Sequence, residues 1–276
     1  MTSQHHAYPP VIARRSRGNL CLGQYKNFME MKNYFSQLNQ TALEGFKRLN
    51  KTDRIEHKLW KVPAGSWEVN VVRGKVLEKA ATSRIILTTK NPLTDEDTRF
   101  DVFQVKIYPA SPKIPVMLFN MENRVAGDDI FAGFLDVAPA AARKDDLKFL
   151  QTKIKKVTEK YRQDYEALRA KLKDMYWMES WGKALNAEIG IRLELGSDQA
   201  ALVKEAGLNW LASYFEVVEK RKRERFTEKQ SAQMYAVRAR IMEYYLLKDI
   251  SVKVAQKLGV PLEALSLAHF APAIRY

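Results

Sequence analysis

From residue 28 onward the apolar positions fall at Phe28, Met31, Phe35, Leu38, Ala42, Phe46 and Leu49. Steps of three and four predict one amphipathic helix. Past Lys51 the period changes to two. Trp67, Val69 and Val71 alternate with Glu68 and Asn70, with Arg73 just beyond, and predict a strand with one wet face. Further strands are expected at Ser83–Thr88, Phe100–Tyr108 and Val116–Met121, separated by the turn-rich stretches Lys90–Pro92 and Pro109–Pro112. Such spacing favours an antiparallel meander. Ala140–Met178 has no Gly or Pro and is dense in Lys, Glu, Ala and Leu, which predicts helix. In Glu188–Leu195, Ile189, Ile191, Leu193 and Leu195 lie on one side of a strand and Glu188, Gly190, Arg192 and Glu194 on the other. The next helix carries Leu202, Leu208, Leu211 and Phe215, with Ser197 or Asp198 as its expected cap. Arg240–Leu247 reads as one more strand, and Val252–Leu258 as a short helix stopped by Gly259-Val260-Pro261. Strands on both sides of a helical block imply an α+β fold, a single sheet of about six or seven strands covered by helices.

Before the first acidic residue, Glu30, the chain holds Arg14, Arg15 and Arg17, and Pro9-Pro10 prevents a continuous helix. We read residues 1–22 as a mobile basic tail and 23–276 as one domain. An Arg-rich, acid-poor start also resembles a transit peptide, but it lacks the amphipathic stripe. Among 276 residues, 46% are hydrophobic and 28% charged, which argues against wholesale disorder. No apolar run is long enough to span a membrane. The single cysteine, Cys21, excludes an intrachain disulfide and a multi-cysteine zinc site, and fits a reducing, cytoplasmic setting. The net charge of +14 calls for an anionic partner: nucleic acid, a membrane surface or a polycarboxylate.

Familiar catalytic constellations are missing. His5, His6, His57 and His269 offer no metal spacing, so no metal is expected, and the glycines form no phosphate cradle. The basic run from Glu219 to Lys229 suits either a nucleic-acid backbone or a solvated helix end, and its interspersed glutamates favour the latter. Tyr161, Tyr165, Tyr176, Trp177 and Trp181 could stack on a flat ligand, although their helical spacing suits a core face better.

Several segments in order then resemble the oxygen-dependent coproporphyrinogen III oxidases. Leu59-Trp60 and Pro63-Ala-Gly65, followed by Gly74-Lys-Val-Leu-Glu78-Lys79-Ala80, are similar to that family's Trp–glycine stretch and "G-x-V-F-E-K-A" turn. Lys113-Ile-Pro115-Val-Met-Leu-Phe-Asn120 resembles its "VPTVHMN" strand, and Phe131-Ala-Gly133-Phe-Leu-Asp136-Val-Ala-Pro139 its "FGGGADLTP". Arg240-Ile-Met-Glu243 through Asp249 resembles "RGRYVEFNLVYDRGT", and Glu263 through Pro272 resembles "ESILMSLPP". The resemblance covers roughly residues 28–276. It implies a large flat antiparallel sheet sandwiched between helices, a homodimer, and a carboxylate-bearing tetrapyrrole held between sheet and helices. It further implies oxidative decarboxylation of propionates with molecular oxygen as co-substrate and no organic cofactor. By the same resemblance Asp249 is the catalytic residue, and Asn120, Asp136, Arg240, Glu243 and Gly259 bind substrate. The chain also departs from the pattern. The strand histidine is Leu118, the Arg after the active-site Asp is Ile250, the following Gly-Thr is Ser251-Val252, and a C-terminal "GGR" is Gly259-Val260-Pro261. Standard turnover is therefore expected to be slight or absent. Three readings follow: a tetrapyrrole oxidase with altered chemistry, a non-catalytic tetrapyrrole-binding protein, and, less favoured, a basic nucleic-acid-binding module.

Overall fold

A computed structural model describes residues 22–91, 94–126 and 129–275, with side chains from Glu30 onward. The expected basic tail, with Cys21, His5 and His6, lies outside the described residues apart from its last position. Helix α1 (Leu22–Asn50) buries Met31, Tyr34, Phe35, Leu38, Ala42, Phe46 and Leu49, the stripe its spacing predicts. Lys51 ends it with a left-handed φ of 52°. The Asn50 side chain accepts from Leu77 N at 2.8 Å and donates to Leu77 O at 3.0 Å, so the helix end is tied to the sheet. Gly74 permits that tie, because a Cβ there would lie 2.4 Å from Asn50 Cγ.

Six strands follow as a meander: β1 (Glu56–Val62), β2 (Gly65–Val72), β3 (Leu77–Lys90), β4 (Asp97–Pro109), β5 (Val116–Val125) and β6 (Asp129–Ala138). The chain then forms α2 (Lys144–Lys160), α3 (Tyr165–Met175) and a small hairpin of β7 (Trp177–Met178) and β8 (Lys183–Ala184). Strand β9 (Ile191–Gly196) returns to pair with β6. The result is a seven-stranded sheet ordered β1-β2-β3-β4-β5-β6-β9, antiparallel at every pairing. Helices α4 (Ala200–Arg221), α5 (Glu228–Leu247), α6 (Ile250–Lys257) and α7 (Leu262–Ala268) complete the chain.

Both faces of the sheet are covered, as the α+β reading expects. Phe103, Val105, Ile107, Phe119, Leu135 and Ile191 pack with α1, α2 and α4. Trp67, Val69, Val71, Tyr108, Leu118 and Ala138 pack with α5, α6 and α7. Two buried lattices on one sheet explain why the central strands read as nearly continuous apolar runs.

Two residues of the Glu78-Lys79-Ala80 motif fasten the second helical layer. Glu78 Oε2 lies 2.8 Å from Nη2 of the fully buried Arg238 on α5, which also donates to Pro109 O at 2.8 Å. Lys79 Nζ donates at 2.6 Å to both Ser266 O and Phe270 O, satisfying carbonyls at the end of α7.

Three local expectations are corrected. Arg240–Leu247 is not a strand but the last two turns of α5, because Met234, Arg238, Ile241, Met242 and Tyr245 form a buried stripe of helical period. A capping box between Thr227 and Gln230 starts that helix fourteen residues upstream of Ile241 in the same continuous turn pattern. The 140–178 block is two helices, broken where Arg162 takes φ 56° and Asp164 caps α3 by accepting from Glu166 N and Ala167 N. Neither Ser197 nor Asp198 caps α4. Both lie in a 3₁₀ turn, and Gln199 precedes α4 without a side-chain cap. Strands β1 and β6 were not anticipated from periodicity.

Candidate functional site

Register brings the chemistry of four strands into two rows. Lys106 of β4 pairs with Leu118 of β5, which pairs with Asp136 of β6. Two residues along lie Gln104, Asn120, Phe134 and then Arg192 of β9. The period of two puts both rows on the face that meets α5–α7. The opposing wall is aromatic. Tyr176 stands edge-on to Phe134 at 5.8 Å and to Tyr244 at 5.3 Å, and Tyr245 lies 5.5 Å from His269. Trp67 meets His269 from the other side at 5.9 Å.

This layer is buried, yet its polar groups are poorly matched. The hydroxyls of Tyr176 and Tyr245, Trp67 Nε1, Asn120 Oδ1 and both ring nitrogens of His269 lack a hydrogen-bond partner. A buried polar atom left in that state costs about 1–3 kcal/mol, and several side by side point to something polar that belongs between sheet and helices. Burial pushes the Lys106 ammonium down to about 7, against a favourable contribution from the Asp249 charge. Burial, with Lys106 and Lys79 nearby, also holds His269 neutral, well below the usual imidazole range. The Tyr176 and Tyr245 phenols are raised for the same reason and stay protonated. The layer thus presents neutral hydroxyls and imidazole around one amine.

The residues singled out from sequence distribute unevenly. Asn120 and Asp136 face this layer. Burial pushes the Asp136 carboxyl up to about 7 against hydrogen bonds that favour its charge. Its Oδ2 accepts from Asn186 Nδ2 at 2.9 Å and Ala187 N at 3.1 Å, so it also pins the segment leading into β9. Gly190 leaves the room, since a Cβ there would lie 2.3 Å from Asp136 Oδ1. Asp249 caps α6, its Oδ1 accepting from Ser251 N at 2.7 Å and Ser251 Oγ at 2.5 Å, and it is half-buried. Glu243 accepts from Trp181 Nε1 at 2.9 Å. Arg240 is exposed on α5, and no ion pair joins it to Glu243 among the described residues. Gly259 ends α6 with φ 75°, a C-terminal cap position.

Sequence reasoning missed Lys106, His269 and Arg192. Arg192 on β9 lies near enough to Tyr244 to act on its phenol, at the solvent side of the layer. A signal for Lys106 existed. It is a lone cation in the apolar run Val102–Tyr108, and it shares strand parity with Gln104 rather than with the wet positions of an edge strand.

Trp177 of β7, Leu246 and Leu247 of α5 and Ile250 of α6 are exposed large apolar side chains. Elsewhere three cations of the basic run, Lys220, Arg221 and Lys222, are paired. Arg221 grips the buried Asp146 at 2.7 Å and 3.1 Å, and Lys222 pairs with Glu219. No helix among the described residues is long and apolar enough to cross a membrane.

A family model described as coproporphyrinogen III oxidase matches residues 30–265, a span that contains the whole sheet and both walls of this layer up to the middle of α7. No curated protein matches the chain.

Proposed function

The chain belongs to the coproporphyrinogen III oxidase family, and from that premise we propose that the layer between the sheet and α5–α7 binds a carboxylate-bearing tetrapyrrole. The observation that carries this reading is the set of unpartnered buried polar atoms lined by aromatic rings. Aromatic side chains stack on pyrrole rings, and the pyrrole N–H groups and propionates of a tetrapyrrole supply partners of both kinds. Asp249 is the carboxylate for pyrrole N–H groups, since an ionised acceptor binds such donors through charge-assisted bonds.

Standard oxidation of coproporphyrinogen is weak or lost in this reading. Leu118 is fully buried in the middle of the sheet row and offers no proton-handling group. Ile250, where a cation is expected, is exposed beside Asp249. His269 brings an imidazole into the same layer from another element, which keeps a reaction with molecular oxygen as the second reading. No organic cofactor is proposed. A homodimer is proposed as its working form.

The test is titration of the full chain with coproporphyrin III, read by the shift of the porphyrin band, followed by incubation with coproporphyrinogen III under oxygen. Tight binding with little vinyl product and little oxygen uptake is expected. Brisk vinyl formation would overturn the loss of turnover, and absence of any band shift would overturn the ligand.

A further inference from the structure

Lys106 enters the layer from β4 and is only 2% exposed. Its Nζ lies 4.9 Å from the centre of the Phe134 ring and 5.6 Å from that of Tyr245. Those rings attract a cation through their faces but do not replace an anion. Among the described residues Nζ makes no hydrogen bond and no ion pair. Of the nearby carboxyl groups, Asp249 is engaged with Ser251, and Asp136 holds Asn186 and Ala187 through Oδ2, leaves Oδ1 unpartnered and is driven towards its neutral form by burial. Lys79, the other buried lysine of this face, differs in this respect, because two carbonyls hold its ammonium.

The unpartnered atoms nearby are of both kinds. The Tyr176 and Tyr245 hydroxyls and Trp67 Nε1 can donate, while Asn120 Oδ1 and Asp136 Oδ1 accept. The buried ammonium without an anion of its own is what specifies an acceptor of negative charge. A carboxylate supplies two oxygens and about four lone-pair directions, enough for an ammonium and two hydroxyls at once. The aromatic walls specify the rest of the ligand, a flat apolar body joined to that carboxylate.

We propose that Lys106 is the buried cation that pairs with a carboxylate of the ligand, in a chain whose Ile250 offers none. This assignment rests on the tetrapyrrole reading above. It makes Lys106 the residue that distinguishes a free acid from the same ring without acidic groups.

The experiment titrates the full chain, wild type and Lys106→Met, with mesoporphyrin and with mesoporphyrin dimethyl ester in the same mild detergent. Methionine keeps the length of the side chain without its charge, and thermal unfolding followed by circular dichroism checks that the variant is folded. Wild type should bind the acid about tenfold or more tighter than the ester, the scale of one charge-assisted hydrogen bond. Lys106→Met should lose that preference while binding the ester as wild type does. Equal binding of acid and ester by wild type, or a preference that survives in Lys106→Met, overturns the assignment and leaves the tetrapyrrole reading standing. If wild type binds neither compound, the tetrapyrrole reading fails and this assignment fails with it. Should Lys106→Met not fold, Lys106→Gln with the same two ligands decides by the same criteria.

Discussion

Asp249 both caps α6 and faces the candidate layer, and the two roles can be separated by one substitution. Asparagine caps a helix about as well as aspartate, so Asp249→Asn removes the charge and keeps the start of α6. Tetrapyrrole affinity should fall by roughly 1–3 kcal/mol with little change in melting temperature. Unchanged affinity would remove Asp249 from the site. Asp136 and Lys106 carry opposite pH signatures. The folded Asp136 carboxyl titrates near 7, well above an ordinary carboxylate. Through the acid range up to that point the fold holds a proton that the unfolded chain has released, so this residue's contribution falls as pH rises towards 7. Asp136→Asn should therefore gain on wild type across that window, by an amount on the order of a few kcal/mol, as read by urea unfolding at stepped pH. Lys106 is pushed down to about 7 from an ordinary 10.5. Between those values the unfolded chain holds the proton that the fold has lost, so stability from this residue rises with pH. The advantage of Lys106→Met in the absence of ligand should accordingly shrink from neutral pH towards 10. A difference that stays flat over either window would contradict the corresponding burial.

At the scale of elements, α7 is held to the sheet by its apolar side, by the buried Lys79 and by the Tyr108 hydroxyl on His269 O. Lys79→Ala leaves Phe270 O without its donor and Ser266 O with the Phe270 N–H alone, and should cost about 1–3 kcal/mol. Amide exchange should accelerate first in residues 262–270, ahead of the sheet. Uniform protection would show that packing alone holds α7. Much of this architecture is legible along the chain. The 3.6-residue stripe gives α1, alternation gives β2 and β9, and Gly259-Val260-Pro261 gives the end of α6. Strand β6 hides because both of its faces are buried, from Phe131 and Leu135 on one side to Asp136 and Ala138 on the other, so no alternation remains to be seen. The end of α5 misleads for the opposite reason, since eight residues beginning at Arg240 are too few to reveal a helical stripe that starts at Met234. The site divides along the same line. Asn120, Asp136 and Asp249 stand in recognisable motifs, whereas Lys106 and His269 acquire meaning only when β4 and the turn after α7 are brought together, and that contact is made by the packing of a C-terminal helix on the sheet, through Lys79 and Tyr108.

For the whole molecule, the question is what covers its exposed apolar surface. Leu246, Leu247 and Ile250 are 55%, 58% and 49% exposed, and they lie together at the junction of α5 and α6. The β1 edge of the sheet is a poor alternative interface. Its outer strand β1 carries Glu56, His57, Lys58 and Lys61, and charges of this kind protect an edge from pairing with another chain. Each chain also bears a net charge of +14, so two copies repel at long range and only apolar burial can hold them. The proposed homodimer therefore uses the α5–α6 junction, next to Asp249. Light scattering of the wild type at micromolar concentration should give about twice the 31.8 kDa of one chain. Salt should strengthen the association, because it screens the repulsion and leaves the apolar contact intact. Leu246→Glu combined with Leu247→Glu places acidic groups in the contact and should yield monomers with an unchanged circular dichroism spectrum. A wild type that scatters as a single chain, or a doubly substituted protein that remains dimeric, would move the interface elsewhere or remove it.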